Sequence, residues 1–360
     1  MSIRVLLAGA GPHGFEAYAN GALLKLMVQS RVEPIAVVEP NVDRRNAALQ
    51  SLGLSVTAGF ASLAPALGLK PDLVIVATPY FAHEEACLAA AAAGAHLFIE
   101  KPLSDSMASC WRIHNAIQRA GVKAAVNMSA RFESEKRAFE EALAEGRAGK
   151  IEYLFGRMSW NHESNAKYRV DVPYPYLNEG GIHLLELLRA CAGGKPVRVH
   201  HMAYRSPDSV FKGFPNSVVS FEMDNGVCCV LEGSWTVKAG INVWRKEYLR
   251  ADGSEGALLL DQQRLKTVHG TGWTKESLKE KKLGDFSNCQ ANLGTEFLLT
   301  AFIDWIEGCT SEHPTNLATN LQLMALLFSA FESAETKQVV DVQATLEAGR
   351  REASRKRDSD

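Results

Sequence analysis

Along its first third the chain alternates short aliphatic runs with longer stretches that read as helix. Ile3–Ala8, Pro34–Glu39, Leu73–Ala77, His96–Glu100 and Lys123–Asn127 are compact runs with little polar alternation, which predicts strands buried on both faces. Between them, Phe15–Ser30, Asp43–Leu52, Glu84–Ala93 and Met107–Ala120 are predicted helices, the last three stopped by Gly53, Gly94 and Gly121. Such alternation predicts a doubly wound parallel sheet with helices on both sides.

The rhythm changes after Arg131. Glu133–Glu145 reads as one charged helix, followed by longer strands with little helix: Ile151–Trp160, Val197–Tyr204, Ser217–Glu222, Val227–Thr236, Val243–Ala251 and Ala257–Leu260. Asp224-Asn225-Gly226 lies between two of them and is hairpin chemistry, because Asn-Gly tolerates positive φ. A mostly antiparallel sheet is expected, closed by helices at Thr295–Glu307 and Ala318–Glu335. The expected organisation is α/β: a parallel-sheet domain over 1–127, an α+β domain over 128–346 and a charged tail over 347–360. The chain has 360 residues, and single cores stop growing at roughly 250–300, which also favours two domains.

Composition narrows the class. The chain is 46% hydrophobic and 22% charged with a net charge of −2, so no basic excess suggests a nucleic-acid partner. Its seven cysteines are scattered without a C-x-x-C pair, and its ten histidines show no metal spacing. Reduced thiols, no metal and a cytoplasmic location are therefore expected. The N-terminal run MSIRVLLAGAG is short and punctuated by glycine where a strand would turn, and no apolar stretch is long enough to span a bilayer.

Gly9-Ala10-Gly11-Pro12-His13-Gly14 follows the first strand and opens the first helix. In such a G-x-G-x-x-G turn the first glycine makes the tight bend and the second admits a pyrophosphate. The third lets the helix pack on the sheet. Glu39, 25 residues beyond Gly14 and at the end of the second strand, can accept both hydroxyls of an adenosine ribose and would repel a 2′-phosphate. A Rossmann domain that takes NAD in preference to NADP is expected. Arg44 and Arg45 are the counterweight, read as solvated charge on the next helix.

Further short motifs follow in order: Ala77-Thr78-Pro79 with Tyr80 and His83, Glu100-Lys101-Pro102, and Glu179-Gly180-Gly181-Ile182-His183. Gly233-Ser234-Trp235 and Gly253-Ser254-Glu255-Gly256 continue the series. Together they resemble the Gfo/Idh/MocA family, the glucose–fructose oxidoreductase and inositol dehydrogenase group, over nearly the whole chain. The resemblance implies that Lys101 is the lysine of the E-K-P motif, and that His183 and Glu179 are the histidine and carboxylate of the downstream motif. The chain has Glu179 and Glu186 where the family usually has aspartate, and Tyr80 where it often has asparagine.

The chemistry suits the residues. Hydride transfer from a carbinol needs its hydroxyl proton removed and its developing oxyanion stabilised. Lys101, just beyond a parallel strand, could stabilise the oxygen, and His183, titrating near neutrality, could move the proton. Glu179, His183 and Glu186 are spaced i, i+4, i+7, which predicts one polar stripe on a buried helix. Glu179 would then orient His183, hold a substrate hydroxyl or pair with Lys101, and Glu186 would be a structural partner. The catalytic residues expected are Lys101, His183 and Glu179. Cofactor contacts are expected from Gly9, Gly11, Pro12, His13, Gly14, Glu39, Thr78, Pro79, Tyr80, His83, Glu100 and Lys101. Arg131, Trp160, His162, Tyr168, Arg169, Tyr174 and Tyr176 lie where the family gathers substrate contacts.

The expected function is an NAD-dependent dehydrogenase of a small sugar- or polyol-like substrate, assembled as a homodimer or homotetramer, without nucleic-acid or membrane partners. Two alternatives keep the fold: an NAD-binding sensor without catalysis, and NAD-assisted glycoside hydrolysis without net redox change.

Overall fold

The computed structural model describes residues 2–270, 278–289 and 293–355. They form two compact units: Met1–Ser129 with Leu293–Met324 and Glu347–Asp360, and Ala130–Asn292 with Ala325–Leu346. The sequence pattern places one crossing at 127 and does not register the two later segments that group with the first unit.

The first unit holds a six-stranded sheet of β1 (Ile3–Ala8), β2 (Val32–Val38), β3 (Gly59–Phe60), β4 (Leu73–Val76), β5 (His96–Ile99) and β6 (Ala124–Val126). Its order is β3-β2-β1-β4-β5-β6, with every pairing parallel. The side chains of β4 are fully buried, as are nearly all of those of β1 and β5, as their unbroken apolar character requires. Strand order reverses between β1 and β4, and in such sheets the crevice beyond the carboxyl ends at that point takes ligands. Two elements escaped the pattern: the two-residue β3 and the short helix Leu63–Leu67, which carries Pro65.

The first helix begins at Pro12, earlier than its apolar run suggests, and winds as a π-helix over Phe15–Ala22, with Gly21 off helical geometry at φ −125° and ψ −109°. Beside this helix, helix Gly294–Ile306 brings Phe302 to 5.6 Å from Phe98. The segment after it pairs with β6: Thr315 O accepts from Val126 N at 3.0 Å, and Ala125 bridges to Asn316. Exposed β-edges template unwanted pairing, and this segment covers the β6 edge.

The second unit is a nine-stranded sheet: β7 (Ile151–Ser159), β8 (Pro196–Tyr204), β9 (Asn216–Met223), β10 (Cys228–Ser234), β11 (Tyr248–Gly253), β12 (Gly256–Asp261), β13 (Arg264–His269), β14 (Lys279–Asp285) and β15 (Val340–Asp341). The order is β14-β13-β12-β11-β7-β10-β9-β8-β15, antiparallel except for the β7–β10 pair. The β9–β10 hairpin turns at Gly226 with φ +87°, as the Asn-Gly pair predicts. Cys229 points into the core while Cys228 is exposed, so only one of the two fills it. The strand expected from Val243 starts only at Tyr248, because Arg245 adopts φ +66°, which a strand cannot accommodate. The expected charged tail is helical through Arg355, its Gly349 lying against Met107, and residues 356–360 lie outside the described part. Among the described residues no helix is long and apolar enough to cross a membrane.

Two buried histidines make the fold sensitive to acid. His201 sits between Ala330 O and Ser217 Oγ, each at 3.0 Å, and His313 between Leu298 O and Thr315 N at 3.0 and 3.2 Å. Burial pushes both imidazoles down to about 4 from an ordinary 6.5. Below 6.5 the unfolded chain takes up protons that the fold refuses, so stability is full above that pH and falls towards 4. The loss approaches about 3 kcal/mol per histidine at the acid end. Calorimetric melting should therefore occur at lower temperature at pH ~5 than at pH ~7. His201→Gln should narrow that difference, because it removes one of the imidazoles that only the unfolded chain protonates.

Candidate functional site

The first unit lines up its chemistry along one sheet edge. Each strand of the sheet's centre passes its last hydrogen bond to the next loop: Gly9 N to Val38 O at 2.8 Å, Ala77 N to Ala8 O at 2.7 Å, Glu100 N to Val76 O at 2.8 Å and Asn127 N to Ile99 O at 2.7 Å. Gly9 takes φ +98°, and a Cβ there would lie 2.4 Å from Ala77 O. A Cβ on Gly14 would lie 2.3 Å from Gly9 O, so the helix can approach the turn only without a side chain. A Cβ on Gly11 would meet nothing within 4 Å, which leaves open space over the turn.

Glu39 is buried at the end of β2, where its carboxylate accepts from Ala10 N and Asn41 N, both at 3.0 Å. Arg45 donates to the carbonyl of Glu39 at 2.6 Å and is thus occupied by backbone. On the β4 side, Pro79 is exposed and Tyr80 partly so, its ring edge-on to Phe81. The Thr78 hydroxyl is buried without a protein partner. His83 departs from the expectation of a pocket-lining residue. It is wholly buried, with its ring nitrogens 2.8 Å from Thr78 O and 3.2 Å from Leu103 O, so it braces the turn from behind.

Glu100 and Lys101 follow β5, and the Lys101–Pro102 peptide is cis. Glu100 is buried, and its Oε1 accepts from Tyr18 Oη at 2.6 Å and Asn127 Nδ2 at 2.7 Å, with His13 Nε2 at 3.0 Å. Its Oε2 accepts from Lys101 N at 3.2 Å. Burial pushes this carboxyl up, but the charge and hydrogen bond of His13, with the bonds from Tyr18 and Asn127, outweigh it and hold the group well below the usual carboxylate range. Lys101 itself is half-buried.

The second unit gathers the downstream motif. Leu177–Gly181 forms a π-helical turn that runs into helix Ile182–Ala192. The wider turn breaks the predicted i, i+4, i+7 stripe. Glu179 turns to Arg169, which donates from Nε at 2.5 Å, and to Tyr168 Oη at 3.5 Å. His183 is buried, with Trp244 edge-on at 5.2 Å. Glu186 accepts from Arg189 Nε at 2.9 Å and from Arg131 at 3.0 Å. Three residues expected to share one stripe thus have separate partners.

Trp235 is the centre of an aromatic cluster that the sequence reading named only as part of a motif. His162, Trp160, Phe211 and Tyr176 lie around it with ring centroids 4.6–6.0 Å away. Tyr176 packs where Gly233 has no side chain. Trp160 Nε1 donates to His162 Nδ1 at 3.3 Å, so a neutral His162 carries its proton on Nε2. That Nε2, Trp235 Nε1 and the Tyr176 hydroxyl are buried donors without a protein acceptor. Tyr174, by contrast, stacks on Phe331 at 4.9 Å and serves packing. Lys136 and Glu247, also missed, share a small cavity with His183. The available signal was a lysine three residues before Phe139, on the apolar face of its helix.

Residues 3–128 match the model of the Gfo/Idh/MocA oxidoreductase family, NAD-binding Rossmann fold, and residues 136–259 match the Gfo/Idh/MocA C-terminal domain. The chain belongs to the Gfo/Idh/MocA family. Protein y4oX of Sinorhizobium fredii is 28% identical over 98% of this chain and 99% of its own length. D-apiose dehydrogenase of Rhizobium rhizogenes is 26% identical over 76% of this chain and 80% of its own. A crystal structure of an oxidoreductase from Agrobacterium radiobacter, in complex with NAD+, L-tartaric acid and magnesium, has the same fold. Its TM-score is 0.84 at 18% identity, covering 96% of this chain and all of that one.

As a Gfo/Idh/MocA member the chain is an NAD-binding oxidoreductase, and its first unit fits that cofactor. The open space over Gly11, the close packing at Gly9 and Gly14 and the unpartnered Thr78 hydroxyl are what a dinucleotide laid along this edge requires. Outside this region, Asp304, Glu307 and Cys309 come together, but Arg31 already pairs with both carboxylates at 2.8 and 2.9 Å.

Glu39 is the residue expected to disfavour the 2′-phosphate of NADP. Glu39→Gln keeps the side-chain length and removes the charge, so the ratio of NAD to NADP affinity should narrow by roughly tenfold or more. Titration calorimetry with each dinucleotide reads this directly. An unchanged ratio would assign the preference elsewhere.

Proposed function

We propose that the protein is an NAD-dependent dehydrogenase of a small polyhydroxylated substrate, a sugar or polyol, working in the cytoplasm as a homo-oligomer. The observation that carries the substrate class is the Trp235 cluster: aromatic faces interleaved with two buried donors, His162 Nε2 and Trp235 Nε1, that no protein acceptor satisfies. Burying donors unpaired costs about 1–3 kcal/mol each, a cost that an oxygen-rich ligand or water removes. Aromatic faces suit the apolar faces of a sugar ring. The D-apiose dehydrogenase relative supports the same class.

Bound NAD would supply the hydride acceptor. In this reading Lys101 places an ammonium beside the substrate oxygen and stabilises its developing negative charge. His183 accepts the hydroxyl proton as general base. Glu179 holds Arg169 beside Trp235 and Tyr168, where the guanidinium adds a further donor for substrate oxygens. Glu100 keeps the backbone at Lys101 in place.

The test is steady-state kinetics at NADH absorbance with a panel of free sugars and polyols that includes D-apiose. Lys101→Ala should lose most turnover while NAD affinity, measured separately, stays nearly unchanged. His183→Ala should lose about 10²–10⁴-fold in kcat. The deficit should be largest above the apparent pKa of the wild-type profile, where the imidazole is free to accept a proton. Wild-type turnover in both variants would remove these roles.

A further inference from the structure

Helix Ser134–Ala144 buries a charge. Lys136 is 3% exposed, with Glu135 Oε1 and Glu247 Oε2 each 3.1 Å from its Nζ, and those carboxylates are 1% and 3% exposed. Burial alone would push the ammonium down, but the two carboxylates outweigh it and hold its pKa above the ordinary value. Buried ion groups of this kind are a poor source of stability, since apolar replacements of similar volume often do as well. Their position suggests another use. Lys136 and Glu247 form one wall of a cavity of about 10 Å³ whose other lining residues include His183, with Met158, Leu184 and Leu187. The cavity is small and lined almost wholly by apolar surface, so little solvent can enter to screen the charges from the imidazole.

The other charges near His183 are engaged elsewhere. On its own helix Glu186 pairs with Arg189 and with Arg131, and one turn earlier Glu179 holds Arg169. From the loop before β11, Arg245 lies 3.6 Å from Glu133 and donates its backbone N–H to Glu247 at 3.0 Å. Strand β7 offers the cavity only Met158, and its Arg157, in register with Glu232 of β10, lies on the opposite face of the sheet. The charges bordering the same cavity as His183 are those of Lys136 and Glu247.

We propose that Lys136 and Glu247 are positioning residues for His183, and that across this small cavity their opposite charges set when its imidazole takes up and releases a proton. The proposal rests on the reading of His183 as proton carrier for its value in catalysis, but the coupling itself is measurable without substrate. Glu247→Gln, which keeps shape, removes a negative charge from the cavity wall and makes the imidazolium less favourable. Lys136→Met removes a positive charge and makes it more favourable. Charge coupling therefore shifts the two variants in opposite directions, which loosened packing does not.

The experiment is an NMR titration of full-length protein labelled with ¹³Cε1-histidine, with the His183 signal assigned by its loss in His183→Gln. Glu247→Gln should move the His183 midpoint to lower pH by about one unit, and Lys136→Met should move it to higher pH by a similar amount. Should Lys136→Met fail to fold around two uncompensated carboxylates, Glu135→Gln/Lys136→Met removes one charge of each sign and leaves Glu247 on the wall. It should move the midpoint upward as well. The companion readout is the pH profile of kcat for NAD-dependent oxidation of the best sugar in the panel, whose acid limb should follow the same two directions. Shifts in the titration without any detectable sugar oxidation would support the coupling and retire the dehydrogenase reading. Unmoved midpoints, or midpoints that move together, would overturn the proposal.

Discussion

A single buried carboxylate organises the ligand-facing edge of the first unit's sheet. Glu100 leaves β5 and draws in Tyr18 from the first helix, Asn127 from the end of β6, His13 from the glycine turn and the backbone N–H of Lys101. Taking a carboxylate out of water costs several kcal/mol unless donors replace the lost hydration. Here four donors converge on two oxygens, each bond strengthened by the charge it meets. The glycine turn and Lys101 are separate in sequence, and Glu100 ties them to one point. Both depend on its remaining ionised, which the depressed carboxyl ensures.

The second unit handles its buried charges differently. Instead of one hub it gives each carboxylate its own cation: Arg169 for Glu179, Arg131 and Arg189 for Glu186, and Lys136 for Glu135 and Glu247. The π-helical turn at Leu177–Gly181 makes this separation, because the wider winding rotates Glu179 away from the face it would share with His183 on a regular helix. The Glu179 side chain then reaches Arg169, so a carboxylate of the motif is half of an ion pair.

Much of this was legible in the chain. Unbroken apolar strands between helices gave the parallel sheet, and the glycine turn with Glu39 gave the cofactor, because each rests on local rules of backbone geometry. The second sheet was recognisable from its strands, but β13 and β14 are rich in polar and charged residues and carry no period strong enough to read. His83 was misplaced because its partners are carbonyls of Thr78 and Leu103, and backbone acceptors leave no trace in sequence. Lys136 and Glu247 lie 111 positions apart and only the fold joins them. The π turn was invisible for the same reason as Gly21's kink: helix winding is set by tertiary packing more than by composition.

The pairing of Thr315 and Asn316 with β6 has a consequence for how the chain is made. Nearly all of the parallel sheet is encoded before Ser129, yet the residues that cover its β6 edge and pack on Phe98 arrive after Leu293. At a synthesis rate of about 5–20 residues per second, the roughly 160 residues between take about 8–30 s to emerge. Throughout that interval the nascent sheet carries an open strand edge and an uncovered aromatic face, the surfaces that chaperones hold and that neighbouring chains can capture. About the last fifth of the polypeptide thus holds a late-arriving cover, and any ribosome that stops short of it releases a sheet with one side unfinished.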